Sequence, residues 1–298
     1  MIDFWIGVLE QGLLFSIMAF GVYITYKILD FPDLSVDGTF PLGASITALL
    51  LIKGIDPILA CLFSVFIGMV AGFVTGVLNV KFKITNLLSG ILVMIALYSV
   101  NLRIMGKANM PLFNTKTIFS GNTPPILVIL LIAIIVKILL DLLLKTKIGF
   151  ILKATGDNHR MVTSLGIDTG MIKILGIMLS NGLVALAGSV MAQYQRFSDV
   201  GMGSGIIVMG LASIIMGETI LKALPFSFGT ACALLGSVLY KASIAIALKA
   251  GLPPTDLKLI TSIIVITALA IYNGGLKIKV KKDLGFGGVK TVTNSKPV

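Results

Sequence analysis

The sequence predicts an all-α fold, a polytopic helical membrane protein of about nine transmembrane segments, within a range of about 8–10. Three observations predict it. Of 298 residues, 56% are hydrophobic and 12% charged, against about 25% charged in an ordinary soluble domain. The mean hydropathy is +1.03. The apolar residues also fall into runs of roughly 17–25, the length an α-helix needs to cross hydrocarbon.

Nine apolar runs separated by charged breaks are the candidate spans: 5–26, 39–52, 57–80, 85–103, 124–144, 172–194, 206–222, 225–248 and 259–273. The runs 39–52 and 259–273 are shorter than about 17 residues, so one or both are expected to be half-spans or to extend into polar sequence. The membrane domain then covers 1–275, in halves 1–144 and 172–275 joined by a loop over 145–171. The remaining 276–298 form a basic tail, whose lysines and glycines cannot bury a core.

Lysine and arginine resist translocation in short loops, so their distribution sets the direction of the chain. One side collects Lys27, Lys81, Lys83, Lys145, Lys147, Lys153, Arg160, Lys173, Lys222 and six tail lysines. The other collects Lys53, Arg103, Lys107, Lys116, Arg196, Lys249 and Lys258. Fifteen against seven places the N-terminus outside and the C-terminus in the cytoplasm of a multi-pass protein of the cell membrane. The net charge of +11 is explained by this bias, and no nucleic-acid-binding module is visible.

Several chemistries are excluded by what the chain lacks. Cys61 and Cys232 sit singly in apolar runs and His159 is the only histidine, so no Cys/His metal cluster exists. The stretch after Met1 begins with Asp3 and carries Glu10 and Gln11, unlike a cleavable leader, so the first run is expected to stay. A membrane-embedded enzyme would want a nucleophile with its base, a carboxylate pair or a metal site.

Polar groups inside the runs must face protein or water, because an unpaired charge at mid-membrane costs about 2.5–3.5 kcal/mol on insertion scales. Glu10, Gln11, Asn86, Ser89, Asn181, Gln193, Ser213, Glu218 and Lys241 are such groups. Lys137 and Asp141 are four apart and are expected to pair on one helix. Glu218 can pair with Lys222 in the same way, whereas Glu10 and Lys241 have no partner near in sequence. Small residues at packing intervals, in Gly68-Met-Val-Ala-Gly72, Gly72-Phe-Val-Thr-Gly76 and Ala185-Leu-Ala-Gly188, predict close helix contacts.

Two polar, glycine-bearing breaks resemble each other: Phe31-Pro-Asp-Leu-Ser-Val-Asp-Gly-Thr-Phe-Pro-Leu-Gly43 after the first run and Phe197-Ser-Asp-Val-Gly-Met-Gly-Ser-Gly205 after the sixth. An offset of five spans is odd, so each partner runs the opposite way: an inverted repeat. Such proteins place the substrate path at the repeat interface, near broken helices. The path residues expected are Asp33, Ser35 and Asp37 in the first break, Asn86 and Ser89 at the start of the fourth run, and Asn181, Gln193 and Gln195 around the sixth. Asp33 and Asp37 also fit as N-caps of the second run.

The stretch from Lys145 to Lys173 has helix grammar of its own. Asp157 or Asn158 can cap a short helix through Leu165, and Gly166 suits its left-handed end.

The run Ala154-Thr-Gly-Asp-Asn-His-Arg-Met, with Gly166-Ile-Asp, Lys173-Ile-Leu-Gly and Leu179-Ser-Asn-Gly-Leu-Val-Ala-Leu-Ala-Gly188, resembles the coupling-helix region of ATP-binding-cassette importer permeases of the branched-chain amino acid and ribose class. Asp33 to Gly43 and Ala192-Gln-Tyr-Gln195 with Asp199-Val-Gly-Met-Gly203 are similar to the subgroup of tryptophan/tyrosine importer permeases. The resemblance covers roughly residues 5–275.

It implies a permease subunit that forms the pathway for a small solute, an aromatic amino acid, with a second permease subunit in a homodimer. Two copies of a cytoplasmic ATPase and an extracytoplasmic substrate-binding protein would complete the importer. Gly156 to Gly166 would be the coupling helix: Asp157, Asn158, His159 and Arg160 would meet the ATPase, with Met161 and Leu165 in its groove. ATP and Mg would sit in that partner, since this chain carries no phosphate-binding Gly-x-x-x-x-Gly-Lys-Ser/Thr loop and binds no cofactor itself. Two readings stay open: an ion-coupled secondary transporter, which shares inverted repeats, and the same permease class carrying a sugar, a nucleoside or another small solute.

Overall fold

The computed structural model describes residues 2–121, 123–221, 229–251, 253 and 256–272. The expected tail and Lys222 lie outside the described residues.

The helices, in chain order, are α1 (Ile2–Val22), which runs into a π-helical turn (Tyr23–Ile28), then α2 (Val36–Ile52), α3 (Pro57–Val80), α4 (Asn86–Met105) and α5 (Pro125–Lys145). There follow α6 (Lys147–Asp157), α7 (His159–Ser164), α8 (Thr169–Gln195), α9 (Ile206–Leu221), α10 (Gly229–Lys249) and α11 (Leu257–Tyr272). Two strands that the sequence did not announce, β1 (Asn109–Pro111) and β2 (Phe197–Asp199), pair antiparallel with Met110 opposite Ser198.

Each of the nine predicted runs falls on a helix, the first residues of 225–248 lying outside the described residues. Among the described residues seven helices are long and apolar enough to cross a membrane, while Val36–Ile52 and Leu259–Ala270 are shorter. For α2 the reason is where it begins: its N-terminus lies beside Asn181, midway along α8, so it covers only part of the thickness.

The repeat is inverted as expected. Glu10 meets Tyr194 and Gly21 meets Ser180, so α1 and α8 run antiparallel. The units α1–α4 and α8–α11 then pack alike: α3 lies on α8 and α10 on α1, while α2 lies against α3 and α4 as α9 lies against α10 and α11. Even the breaks correspond. Asp30 and Arg196, the residues before Phe31 and Phe197, both have positive φ, 50° and 62°. Asp33 and Asp199 each accept the N–H two residues on, from Ser35 and Gly201, at 2.8 Å.

Small residues set the helix spacing. A side chain at Gly43 would collide with the Ala185 carbonyl, and a Cβ at Gly72 would lie 2.6 Å from the Ile177 carbonyl oxygen. In lipid, where apolar burial gives no drive between helices, this backbone approach gathers the dispersion contacts that hold α3 to α8. α5 is different: its Leu131 and Leu139 are each 61% exposed, an apolar face for lipid.

The 145–171 loop is two helices rather than one. Gly156 and Asp157 close α6, with Gly156 packed on the Ile28 carbonyl, and the second helix starts only at His159. Asn158, not Asp157, is its cap: Asn158 Oδ1 accepts the Met161 N–H at 3.1 Å. Gly166 follows with φ +77°, the left-handed stop expected.

Gly72→Val is expected to lower stability by about 1–3 kcal/mol through overpacking, read as the unfolding midpoint in detergent. Gly7→Ala, inside α1 with open space around it, should hold or slightly raise the midpoint.

Candidate functional site

Asn181 lies 12 residues from the start of α8 and 14 from its end, about 18 Å and 21 Å at 1.5 Å per residue. It therefore sits near the centre of the span, and it is fully buried. Its amide is saturated: Nδ2 donates to Asp33 Oδ2 (2.8 Å) and the Ile177 carbonyl (3.1 Å), and Oδ1 accepts from Thr39 Oγ1 (2.6 Å) and Ser35 Oγ (3.2 Å). Asp33 Oδ1 in turn accepts the Ser35 N–H at the start of α2. A helix that starts inside a membrane has N–H groups that no lipid can satisfy; Asp33 answers the one at Ser35, and Asn181 holds Asp33 in place.

The second break is closed by the first. Asp37, in the first turn of α2, accepts the Gly205 N–H on Oδ2 (3.0 Å) and the Ile207 N–H on Oδ1 (2.8 Å). A carboxylate of one repeat thus caps a helix of the other, where the α9 dipole favours negative charge. Pro41 removes the N–H that would bond the Asp37 carbonyl within α2, and Gly203 of the second break packs onto that carbonyl.

Of the expected path residues, the structure brings Asp33, Ser35 and Asn181 into one cluster, with Asp37 one turn along. It does not bring the other four. Asn86 accepts from Asn79 Nδ2 at 2.8 Å and Ser89 donates to the Asn86 carbonyl, so both stay within the α3–α4 connection, although Gly90 beside them packs on the Asp33–Ser35 turn. Gln193 ties α8 to Cys61 of α3 and to the Ile118 N–H, and Gln195 ends α8 at the strand pair. Sequence reasoning missed Thr39, which stands one helical turn from Ser35 on the same face, and Asn101, which donates from Nδ2 to the Gly38 carbonyl at 3.2 Å.

The charged groups find partners that only tertiary structure supplies. Glu10 accepts the Tyr194 hydroxyl at 2.7 Å, and the Lys241 ammonium lies 3.6 Å from the centre of the Phe15 ring, a cation–π contact. Glu218 pairs with Lys27 of the π-helical turn at 2.8 Å, a bond between the repeats; Lys222, the partner the sequence suggested, lies outside the described residues. Lys137 and Asp141 pair at 2.6 Å as expected, and Thr230 donates to the same carboxylate.

At the end where α3 meets the start of α8, α7 lies with Val162 buried and Met161 and Leu165 exposed, 48% and 68%. His159 and Arg160 are exposed too, and His159 Nε2 lies 3.0 Å from Thr169 Oγ1, which ties α7 to the base of α8.

Asn181→Leu is expected to cost at least about 3 kcal/mol, because it strands the buried Asp33 carboxylate. Gln193→Leu, which breaks bonds only to a thiol and a neutral amide, should cost about 1–2 kcal/mol. Unfolding midpoints measured side by side check the order, and the reverse order would show that the cluster does not carry the fold.

Known proteins share this architecture. A permease from Clostridioides difficile strain R20291, the tyrosine transport system permease protein, is 56% identical over 277 residues, 93% of each chain. The Rickettsia prowazekii protein RP368 is 35% identical over 89% of this chain and 96% of its own. The Yersinia enterocolitica autoinducer 2 import system permease LsrC is 28% identical over 85% of this chain and 70% of its own. The structure of PsaBC from Streptococcus pneumoniae in complex with Fab is similar in fold, with a TM-score of 0.53 at 14% identity over 92% of this chain and 91% of that one. The model of the branched-chain amino acid transport system permease component matches residues 4–271, and the chain belongs to that family.

Proposed function

We propose that this chain is the membrane-spanning subunit of an ATP-driven importer and that its cargo is an amino acid with an aromatic side chain. The observation that carries the reading is the meeting of two breaks, one from each inverted repeat, at Asp33, Asp37 and Asn181, in a family of transport permeases. Broken helices at mid-span are where backbone polar groups become available to a solute, and inverted repeats can rock about that point to open one side at a time. The tyrosine transport permease at 56% identity supports the cargo.

Two identical permease subunits enclose the path, two ATPase subunits bind below it, and an extracytoplasmic binding protein delivers the solute. The basic residues support the orientation. Lys27, Lys81, Lys83 and the lysines of α6 share the α7 end, whereas Lys53, Lys107, Lys116 and Arg196 lie toward the strand pair. By the positive-inside rule the α7 end is cytoplasmic and the N-terminus outside.

α7 is then the coupling element. Val162 anchors it to the permease, Met161 and Leu165 offer apolar surface to a groove, and Arg160 offers a charge. Hydrolysis itself belongs to the ATPase, and this chain does no covalent chemistry.

The test is the complex, co-purified with its ATPase and binding protein and reconstituted in liposomes. L-tyrosine with the binding protein should stimulate hydrolysis and enter only with ATP. Arg160→Ala and Met161→Ala should cut ATP-driven uptake by about tenfold or more while the unfolding midpoint stays unchanged. Uptake driven by an ion gradient without ATP would replace this reading with a secondary transporter.

A further inference from the structure

Between α2, α4 and the second break lies a cleft of about 500 Å³, within the range of small-molecule sites. Its walls are largely apolar, with Pro41, Met94, Ile95 and Val200, and Tyr98 presents an aromatic ring that is 54% exposed. Beside Tyr98, its polar side chains are those of Asp37 and Asn101, with the hydroxyls of Ser99 and Ser204. Asn101 is fully buried and its Oδ1 has no hydrogen-bond partner. The amide cannot be turned the other way, because only its nitrogen can donate to the Gly38 carbonyl.

Beside it stands the Asp37 carboxylate, each of whose oxygens takes one backbone N–H and keeps a free lone pair. None of the residues lining the cleft is basic. A buried acceptor left unsatisfied is costly, and an acceptor beside a carboxylate asks for a cationic donor.

We infer that this cleft is a solute subsite that recognises a protonated primary amine joined to an aromatic body, and that it does not read a carboxylate. The ammonium donates to Asn101 Oδ1 and Asp37 while the ring lies against Tyr98, Ile95 and Pro41. The inference rests on the importer reading for its biological setting and extends it: the permease itself selects for the amino group, in addition to whatever the binding protein selects. It also separates the two faces of Asp37, one capping α9 and the other available to cargo.

The experiment uses the full-length permease in lipid nanodiscs without nucleotide and measures binding of four probes: L-tyrosine, tyramine, N-acetyl-L-tyrosine and 3-(4-hydroxyphenyl)propionate. Tyramine is expected to bind within about threefold of L-tyrosine, and the two probes that lack a free amine about tenfold or more weaker, the factor one hydrogen bond from a charged donor carries. Asn101→Leu should weaken tyramine by about tenfold, Asn101→Asp should preserve or strengthen it, and Tyr98→Ala should weaken it without changing the preference for the amine. Unfolding midpoints identify any variant that has lost its fold, and Tyr98→Ala, on an exposed face, keeps the test alive if an Asn101 variant does.

Equal binding of the propionate and tyramine, insensitivity to both Asn101 variants, or no binding of any probe would overturn the inference. ATP-driven uptake by the whole complex is measured separately. Amine binding with no ATP-driven uptake would sink the importer reading and leave the subsite standing, and the converse would do the opposite.

Discussion

A helix that begins in the middle of a membrane leaves several backbone N–H groups in a medium that offers no hydrogen bonds, at a cost of several kcal/mol for each group left bare. Two helices here, α2 and α9, begin next to that point, and two carboxylates take N–H groups there. Asp33 serves the first turn of α2 and is itself held by Asn181, while Asp37 serves α9 from the opposite repeat. The chain path through both breaks depends on these bonds. Neither carboxylate has a lysine or arginine within bonding distance among the described residues; amides and hydroxyls take that place.

The same arrangement ties the two repeats to each other. Asp37 belongs to the first repeat by sequence and to the second by function, and Asn181 does the reverse. Lys27 with Glu218, and Glu10 with Tyr194, add bonds between the repeats nearer the two ends. Between these polar ties the helices rely on glycine for backbone approach, at Gly43 and Gly72 against α8 and at Gly188 against α2. A domain held this way is stiff along each helix and has its polar bonds concentrated where the repeats meet, a geometry suited to motion of one repeat against the other.

How legible the site was depended on range. Asp33, Ser35, Asp37 and Asn181 stood out because polar residues are rare in apolar runs and expensive there. Gln193 and Asn86 stood out for the same reason but lie apart from the cluster, Gln193 bonded to Cys61 and Ile118 and Asn86 to Asn79, since rarity cannot say which way a side chain points. Thr39 was open to detection from its one-turn spacing to Ser35. Asn101 was not, because the Gly38 carbonyl that fixes its amide is 63 residues away. The sequence narrows the start of α7 to Asp157 or Asn158, both good caps, and the structure takes Asn158, with α6 running through Asp157 and Gly156 packed on the Ile28 carbonyl.

The sequence by itself determined what solvent demands: helices of bilayer length, their basic ends, the small residues for close packing and the inverted kinship of the two breaks. These follow from hydropathy, charge and period, which are local quantities readable along a chain. Only the tertiary structure decided that α2 starts at mid-span, that Asp37 caps a helix some 170 residues later, that Glu218 takes Lys27, and that Asn101 keeps a free acceptor in a cleft. The physical reason is that hydrogen bonds and ion pairs act over about 3 Å, and which groups come that close is set by packing between helices distant in sequence.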